Sequence, residues 1–468
     1  MESLLVNKNN SSPRYLLSKK ITLALFIPLL LIGLIEAALR ISGYGDSMSF
    51  FIESNSDKTL LVENSAFPWK YLPKKLARNP QPLSLKRKKP TNTIRIFIFG
   101  ESAAAGDPDP AFNMGRILEK LLESRFSERE FEVINTSVTA LKSHSIRLTA
   151  KECINLDGDY WIIYMGHNEV MGPFGAGTIF GNKTPSLTLL KTSLFLKSFR
   201  IGQWVSSFNS LTEPNSSERW GGMGMFLDQK ISFQDSKLDW VYSAYKKNTQ
   251  EILDYARRAN VRVILSTAAS NLRDSAPFAS IGEGLNNNAQ EAFNKGRELE
   301  GVGDYEQARK YYLQALDLDA LRFRTDSKLR NITLDAALHA KGDIETIDAQ
   351  AELDKMSPNG ISGHEYFFEH VHFTFRGNYN ISLLFAERIA KSLERDGIFP
   401  KGHWPSMENC IKSLAYTNWD KQLVFSIIEK RIQQPPFNQR SDNDFNLIRL
   451  REELSKLRKG SEYYKDIK

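Results

Sequence analysis

Between residues 94 and 349 short, continuous apolar runs alternate with longer amphipathic ones. Five runs read as buried strands: 94–99, 131–134, 160–164, 261–265 and, less sharply, 344–349. The first, IRIFIF, is β-branched or aromatic at every position but Arg95, as expected for a central strand of a parallel sheet. Helical patterns fall at 114–125, 145–153, 238–258 and 377–395; in the first, Ile117, Leu118, Leu121 and Leu122 share one face. Strand and helix in turn predict an α/β domain with a helix-covered parallel sheet.

The remaining segments depart from that rhythm. Residues 21–39 are uncharged except for Glu36 and, at ~1.5 Å per residue, reach about 28 Å, near the thickness of a bilayer's hydrocarbon core. Lys8, Arg14, Lys19 and Lys20 precede this run and fewer basic residues follow it. That asymmetry orients 1–20 to the cytoplasm and the rest outward, predicting a single-pass inner-membrane protein whose main domain is periplasmic. A cleaved signal peptide is the rival reading; the run is long for one, and no small-x-small cleavage site precedes Arg40. Residues 40–90 read as a juxtamembrane linker packing partly on the domain, with an aromatic cluster at Phe67, Trp69 and Tyr71.

The expected main domain runs over 91–275 and 326–400 and carries two interruptions. An insertion at 173–234 contains an amphipathic stretch, 187–208, with Lys191, Lys197 and Arg200. It reads as a helix capping the sheet or, secondarily, as one lying on a membrane surface. Within 276–325, Ala292, Gly296, Leu299, Tyr305, Ala308, Tyr312, Ala315 and Leu316 fall at tetratricopeptide (TPR) spacing. One such hairpin cannot bury its own face, so it is expected to pack on the parent domain or a partner protein. Residues 401–468 read as a charged helical extension without chemistry.

Composition narrows the function classes. With 41% apolar and 25% charged residues the 468-residue chain is globular, and its net charge of +7 is diffuse. No basic stripe with interleaved aromatics points to nucleic acid. Two cysteines, Cys153 and Cys410, make neither a disulfide framework nor a metal cluster.

Four short pieces fall at predicted strand ends: Gly100-Glu101-Ser102, Asn135-Thr136-Ser137, Gly166-His167-Asn168-Glu169 and Glu369-His370-Val371-His372. A serine, a histidine and a carboxylate three residues before that histidine are the ingredients of acyl transfer, and an asparagine amide can donate to an oxyanion. Ligands of open α/β sheets bind at this edge. His167, Asn271 and Arg273 are further substrate-contact candidates there, with Arg322 and Arg324 behind them; His144 reads as structural. His364, His370 and His372 also spell a metal cluster, without a matching ligand set elsewhere, so neither metal nor cofactor is expected.

These pieces resemble the four blocks of the SGNH, or GDSL-type, hydrolases: a serine in GDS, a block-two glycine, an asparagine in GxND and a late DxxH pair. The resemblance spans 94–395 apart from the insertions, and the runs GESAAAGDPDPAF, GAGTIF, DALRFR and EHVHFTFRGNY resemble a membrane-anchored, TPR-bearing subgroup. It implies a flavodoxin-like three-layer α/β/α fold with Ser102 as nucleophile and His372 as general base. It implies an oxyanion hole of Asn168 and the backbone N–H groups of Ser102 and Ser137. Glu101, Ser137 and Glu369 stand where the pattern has aspartate, glycine and aspartate. Glu369, one methylene longer, folds back onto His372 or leaves a Ser–His dyad. The GxSxG elbow of α/β-hydrolases is absent, since Ala104 takes its second glycine.

The expected protein is a membrane-anchored serine esterase removing short acyl groups from a glycan or lipid. An O-acyltransferase using the same serine and a non-catalytic assembly module are the alternatives.

Overall fold

A computed structural model describes residues 13–181, 183–210 and 221–462. It divides into a small unit, Met1–Met48 with Thr188–Ser217, and a large one, Ser49–Leu187 with Glu218–Lys468.

The large unit is built on five parallel strands, β4 (Thr93–Gly100), β5 (Glu130–Asn135), β6 (Tyr160–Tyr164), β7 (Arg262–Ser266) and β8 (Ile344–Ile347), in the order β5-β4-β6-β7-β8. All five expected strands are present, and their order is that of flavodoxin-like sheets. Strand β4 is buried at all eight positions, which explains its unbroken apolar run. Ile96 pairs in register with Val133 on one side and Tyr160 on the other. Its one charged residue, Arg95, is fully buried, with each guanidinium nitrogen bonded: it donates to Glu132 (2.6 Å), the Leu156 carbonyl (2.6 Å) and the Lys86 carbonyl (2.8 Å).

The period of two in β4 separates the core into faces. Ile94, Ile96 and Ile98 meet α3 (Met114–Arg125) and α12 (Phe375–Arg395), the latter burying Ile381, Phe385, Ile389 and Leu393 along one stripe. Phe97 and Phe99 point the other way, Phe99 edge-on to Trp161 at 5.0 Å. A second helical group, α4 (Ser143–Glu152), α7 (Lys237–Ala259) and α10 (Ser327–His339), packs through α7. Burying a side chain such as Leu118 or Ile389 contributes roughly 1.5–3 kcal/mol.

Residues 40–90 are more than a linker. Strands β1 (Phe51–Glu53), β2 (Leu60–Glu63) and β3 (Ser84–Lys86) form an antiparallel sheet. Phe50, Phe67 and Tyr71 are buried beside it in edge-to-face contacts of 5.2 and 5.4 Å.

The expected hairpin at 289–320 consists of α8 (Ala289–Gly301) and α9 (Tyr305–Leu318), capped by Asn288 and Asp304. Gly296 is required by close approach: a Cβ there would meet the Tyr312 ring at 2.8 Å. Ala292, Phe293, Ala308 and Tyr312 share a core with Leu272, Ala276 and Ile361, so the hairpin packs on the large unit itself. After β8, α11 (Ala349–Met356) starts at the Asp348 cap, which ends the strand earlier than its apolar pattern suggests.

Of the C-terminal helices α13 (Met407–Ser413), α14 (Asn418–Ile432) and α15 (Asn443–Glu462), the first packs on α3, and the other two pack on each other. Cys410 and Tyr416 join the α3–α12 cluster, and Tyr416 stacks on Phe375 at 5.0 Å.

The small unit comprises α1 (Pro13–Ile41), α5 (Leu187–Leu196) and α6 (Arg200–Ser210). Among the described residues α1 is the one helix long and apolar enough to cross a membrane; its segment Thr22–Ile41 has mean hydropathy 2.3 and is nowhere buried. The rest of the 173–234 insertion belongs to the large unit, except that Asn182 and 211–220 lie outside the described residues.

Candidate active site

Strand β4 runs directly into α2 (Ser102–Ala105), so Ser102 begins a helix at the carboxyl end of a central strand. The junction is tight. A Cβ on Gly100 would lie 2.4 Å from Ala104 Cβ and 2.6 Å from the Tyr164 carbonyl, so only glycine lets β4 turn here. Strands β4 and β6 flank the point where the strand order reverses, the crevice where ligands bind in this architecture.

Beyond β8, α11 and a short turn, the chain returns to that crevice with Glu369-His370-Val371-His372. His372 Nε2 lies 2.9 Å from Ser102 Oγ, and its Nδ1 contacts Glu369 Oε1. The glutamate folds back, and its other oxygen, Oε2, contacts His370 Nδ1. A carboxylate beside Nδ1 holds the proton there, leaving Nε2 to accept from the Ser102 hydroxyl. Burial works to raise the Glu369 carboxyl, but the two imidazoles prevail and hold it well below the usual range. Burial pushes His370 down to about 4, against the pull of Glu369, which keeps that ring neutral.

Arg431 of α14 completes the cluster. Its Nη2 donates to Asp107 Oδ1 at 2.5 Å and its Nη1 to Glu369 Oε1 at 3.4 Å, 3.2 Å from His372 Nδ1. Asp107 Oδ2 lies 3.9 Å from His372 Nε2. Burial works to raise Asp107, while His372 and Arg431 hold it below its ordinary value. The extension read as chemically silent therefore reaches the site.

The loop that follows β6 is held from below. Glu101 accepts from the backbone N–H of Gly166 (3.2 Å) and Asn168 (3.0 Å). The Asn168 Nδ2 group donates one hydrogen to the Leu141 carbonyl (2.9 Å), leaving the other for the crevice. Burial, reinforced by repulsion from Glu169, raises the Glu101 carboxyl to about 8.

Ser137 does not fill the place expected of it. Its backbone N–H donates to Asn135 Oδ1 at 3.1 Å, so that donor is engaged, and its hydroxyl is buried without a partner among the described residues. Ala140, three positions on, lines the cavity in the left-handed conformation at φ 64. Among the described residues neither its N–H nor that of Ser102 has a protein acceptor. Left-handed alanine is costly by roughly 1–2 kcal/mol, a strain of the kind that collects at functional sites.

Ser102, Ala140, His167, Asn168, His370, His372 and Arg431 all line one cavity of about 530 Å³. Phe180, Phe226, Phe323 and Phe437 form its apolar wall, with Phe226 edge-on to both Phe180 (5.7 Å) and Phe323 (5.5 Å). His167 is buried; its Nδ1 faces Thr325 Oγ1 at 3.1 Å, and burial drives it down to about 3.

Asn271 and Arg273 stand behind the site and do not line the cavity. Asn271 Nδ2 donates to the Glu369 carbonyl (3.0 Å) and its N–H to the His370 carbonyl (2.9 Å), bracing the turn that presents His372. Arg273 pairs with Asp274 (2.9 Å) and Glu365 (2.5 Å). Arg322 and Arg324 are buried on Asp326 and Asp319, and His144 faces Asn248 at 2.9 Å. His364 is set apart from its expected cluster, its N–H bonded to Asp274. Glu369, His370 and His372 place donor atoms within 4.8 Å of one another, but the carboxylate oxygens there each face an imidazole Nδ1.

No protein-family model and no curated protein matches the chain. Solved structures with distant likeness include a GDSL-like lipase from Bacteroides thetaiotaomicron (13% identity, TM-score 0.33, covering 66% of this chain and 93% of that one). Another is a lipase/acylhydrolase from Enterococcus faecalis (11%, 0.30, 63% and 95%). A third is the acetylxylan esterase Axe2 from Geobacillus stearothermophilus (12%, 0.32, 63% and 94%). Likenesses this distant carry nothing about what the chain acts on.

Proposed function

We propose that the protein is a serine esterase, anchored in the membrane by α1, that cleaves carboxylic esters of short acyl groups on a glycan or lipid. The observation that carries this reading is the line Ser102–His372–Glu369, opening on a cavity with spare N–H donors. His372 takes the Ser102 proton as Oγ bonds to the ester carbonyl carbon. The tetrahedral oxyanion is held by the N–H groups of Ser102 and Ala140 and by Asn168, each such donor contributing about 10²–10³ in rate. Imidazolium then protonates the departing alkoxide, leaving an acyl-serine and an alcohol. Water, deprotonated by the same imidazole, releases the acid and restores the serine. Glu369 stabilises the imidazolium at both steps, and Ala140 takes the part first expected of Ser137. In this reading the positive flank before α1 keeps the N-terminus cytoplasmic and the large unit outside.

A fluorophosphonate probe tests the assignment directly. The expected adduct maps by mass spectrometry to Ser102 and disappears in Ser102→Ala together with hydrolysis of 4-nitrophenyl acetate. Turnover retained by that variant, or no adduct on folded protein, overturns it.

A further inference from the structure

The small unit contains an apolar surface that the proposed chemistry does not use. In α6, Ile201, Trp204, Val205 and Phe208 recur at the spacing of one helical face. Trp204 is 40% exposed, Val205 54% and Phe208 54%; on α5, Leu189 is 68% and Phe195 62% exposed. Side chains of this size left in water on one short hairpin mark a surface that something covers.

The N-terminus of α6 is pinned to the end of α1, and its Gln203 to the chain just beyond. Glu36 accepts from the backbone N–H groups of Arg200 (3.1 Å) and Ile201 (2.9 Å) and from Arg40 (2.7 Å). Gln203 accepts from the Asp46 N–H (3.0 Å) and donates to the Asp46 carbonyl (2.9 Å). This accounts for the one acidic residue in the apolar run: Glu36 caps the first turn of a helix 164 positions away. A leader destined for removal has no use for such a bond.

We infer that α5 and α6 form a foot lying in the membrane–water interface beside the exit of α1, covered by lipid. The inference rests on the anchor reading of α1. What selects lipid as occupant is the neighbour. The apolar segment Thr22–Ile41, none of it buried, belongs to the same unit as α6 and is bonded to the start of α6 through Glu36. The foot also has the make-up of an interfacial helix, with a tryptophan and phenylalanines on one side and Lys191, Lys197 and Arg200 among its residues.

Nitroxide labels on the full-length protein in phosphatidylethanolamine–phosphatidylglycerol vesicles test this. Cys153 and Cys410 are buried and are replaced by alanine. Single cysteines then go to Val205 and Phe208, to Leu30 within α1, and to exposed Lys310 as an aqueous reference. Labels at 205 and 208 are expected to be relaxed by oxygen and shielded from a nickel chelate, as at Leu30 and opposite to Lys310. Nickel access at 205 and 208 with Leu30 shielded overturns the foot alone. Nickel access at Leu30 as well overturns the anchor reading. Shielding of 205 and 208 from both relaxants, the sign of a protein partner or a second copy, also overturns the inference.

Discussion

Arg431 Nη2 lies 2.5 Å from Asp107 Oδ1, tying the C-terminal helix α14 to the loop that follows Ser102. The same guanidinium reaches Glu369, so one cation sits between the two carboxylates that flank His372. Removing it leaves those carboxylates unbalanced against a single imidazole and frees the ring to tilt. Arg431→Gln is expected to lower kcat by about 10²-fold, the loss typical of a small misplacement of reacting groups, with KM little changed. Arg431→Lys restores part of it, since an ammonium cannot reproduce the two-pronged geometry. Steady-state kinetics on both variants decide the point; an unchanged kcat would reduce α14 to a cover.

Ser102 and His372 share a proton at 2.9 Å, and groups that act as a unit do not fail independently. Ser102→Ala and His372→Ala should each abolish most ester hydrolysis, and the double variant should be no worse than either single one. Additive losses in a double-mutant cycle would mean that the serine and the histidine act in separate steps.

The β4–α2 junction gives a third test. Gly100→Ala adds a methyl group at 2.4 Å from Ala104 Cβ and 2.6 Å from a backbone oxygen, neither of which can swing aside. Overpacking of this kind costs about 1–3 kcal/mol. The displaced element is α2, so hydrolysis should fall with stability; thermal unfolding and kcat measured on one preparation check both. An active, fully stable variant would mean that the junction has slack.

His372, far beyond β8, was legible from the carboxylate three positions before it, while the strands and the positions of Ser102 and Asn168 were legible because parallel strands buried on both faces are written as unbroken apolar runs. Chemistry at their carboxyl ends then stands next to a visible landmark. Arg431 was not legible: in a charged amphipathic helix a cation bonded across 324 positions looks like its solvated neighbours. The choice between Ser137 and Ala140 turned on an Asn135 side chain taking one N–H and on a positive φ that an alanine does not advertise. Asn271 and Arg273 were correctly placed after β7, yet their side chains turn back to hold the Glu369 carbonyl and Glu365. Strand-end position specifies where a residue sits, not which way its side chain faces.

Glu101 links the site to stability. Burial first, then repulsion by Glu169, moves its carboxyl from an ordinary 4.5 up to about 8, against the pull of two backbone N–H groups and Lys142. Below pH 4.5 folded and unfolded chains both carry the proton, and this contribution to stability is complete. Between 4.5 and 8 the unfolded chain releases the proton while the folded one keeps it, so the contribution shrinks as pH rises; above 8 it is flat. Glu101→Gln cannot titrate. Its amide also meets one of the two N–H donors badly, which adds a cost independent of pH. The stability of the wild type relative to Glu101→Gln should therefore decline from pH 5 to pH 8, read as a Tm difference, wild type minus variant, that falls as pH rises in detergent micelles. Parallel curves would mean that Glu101 is ionised throughout this range, held as a carboxylate by Gly166, Asn168 and Lys142.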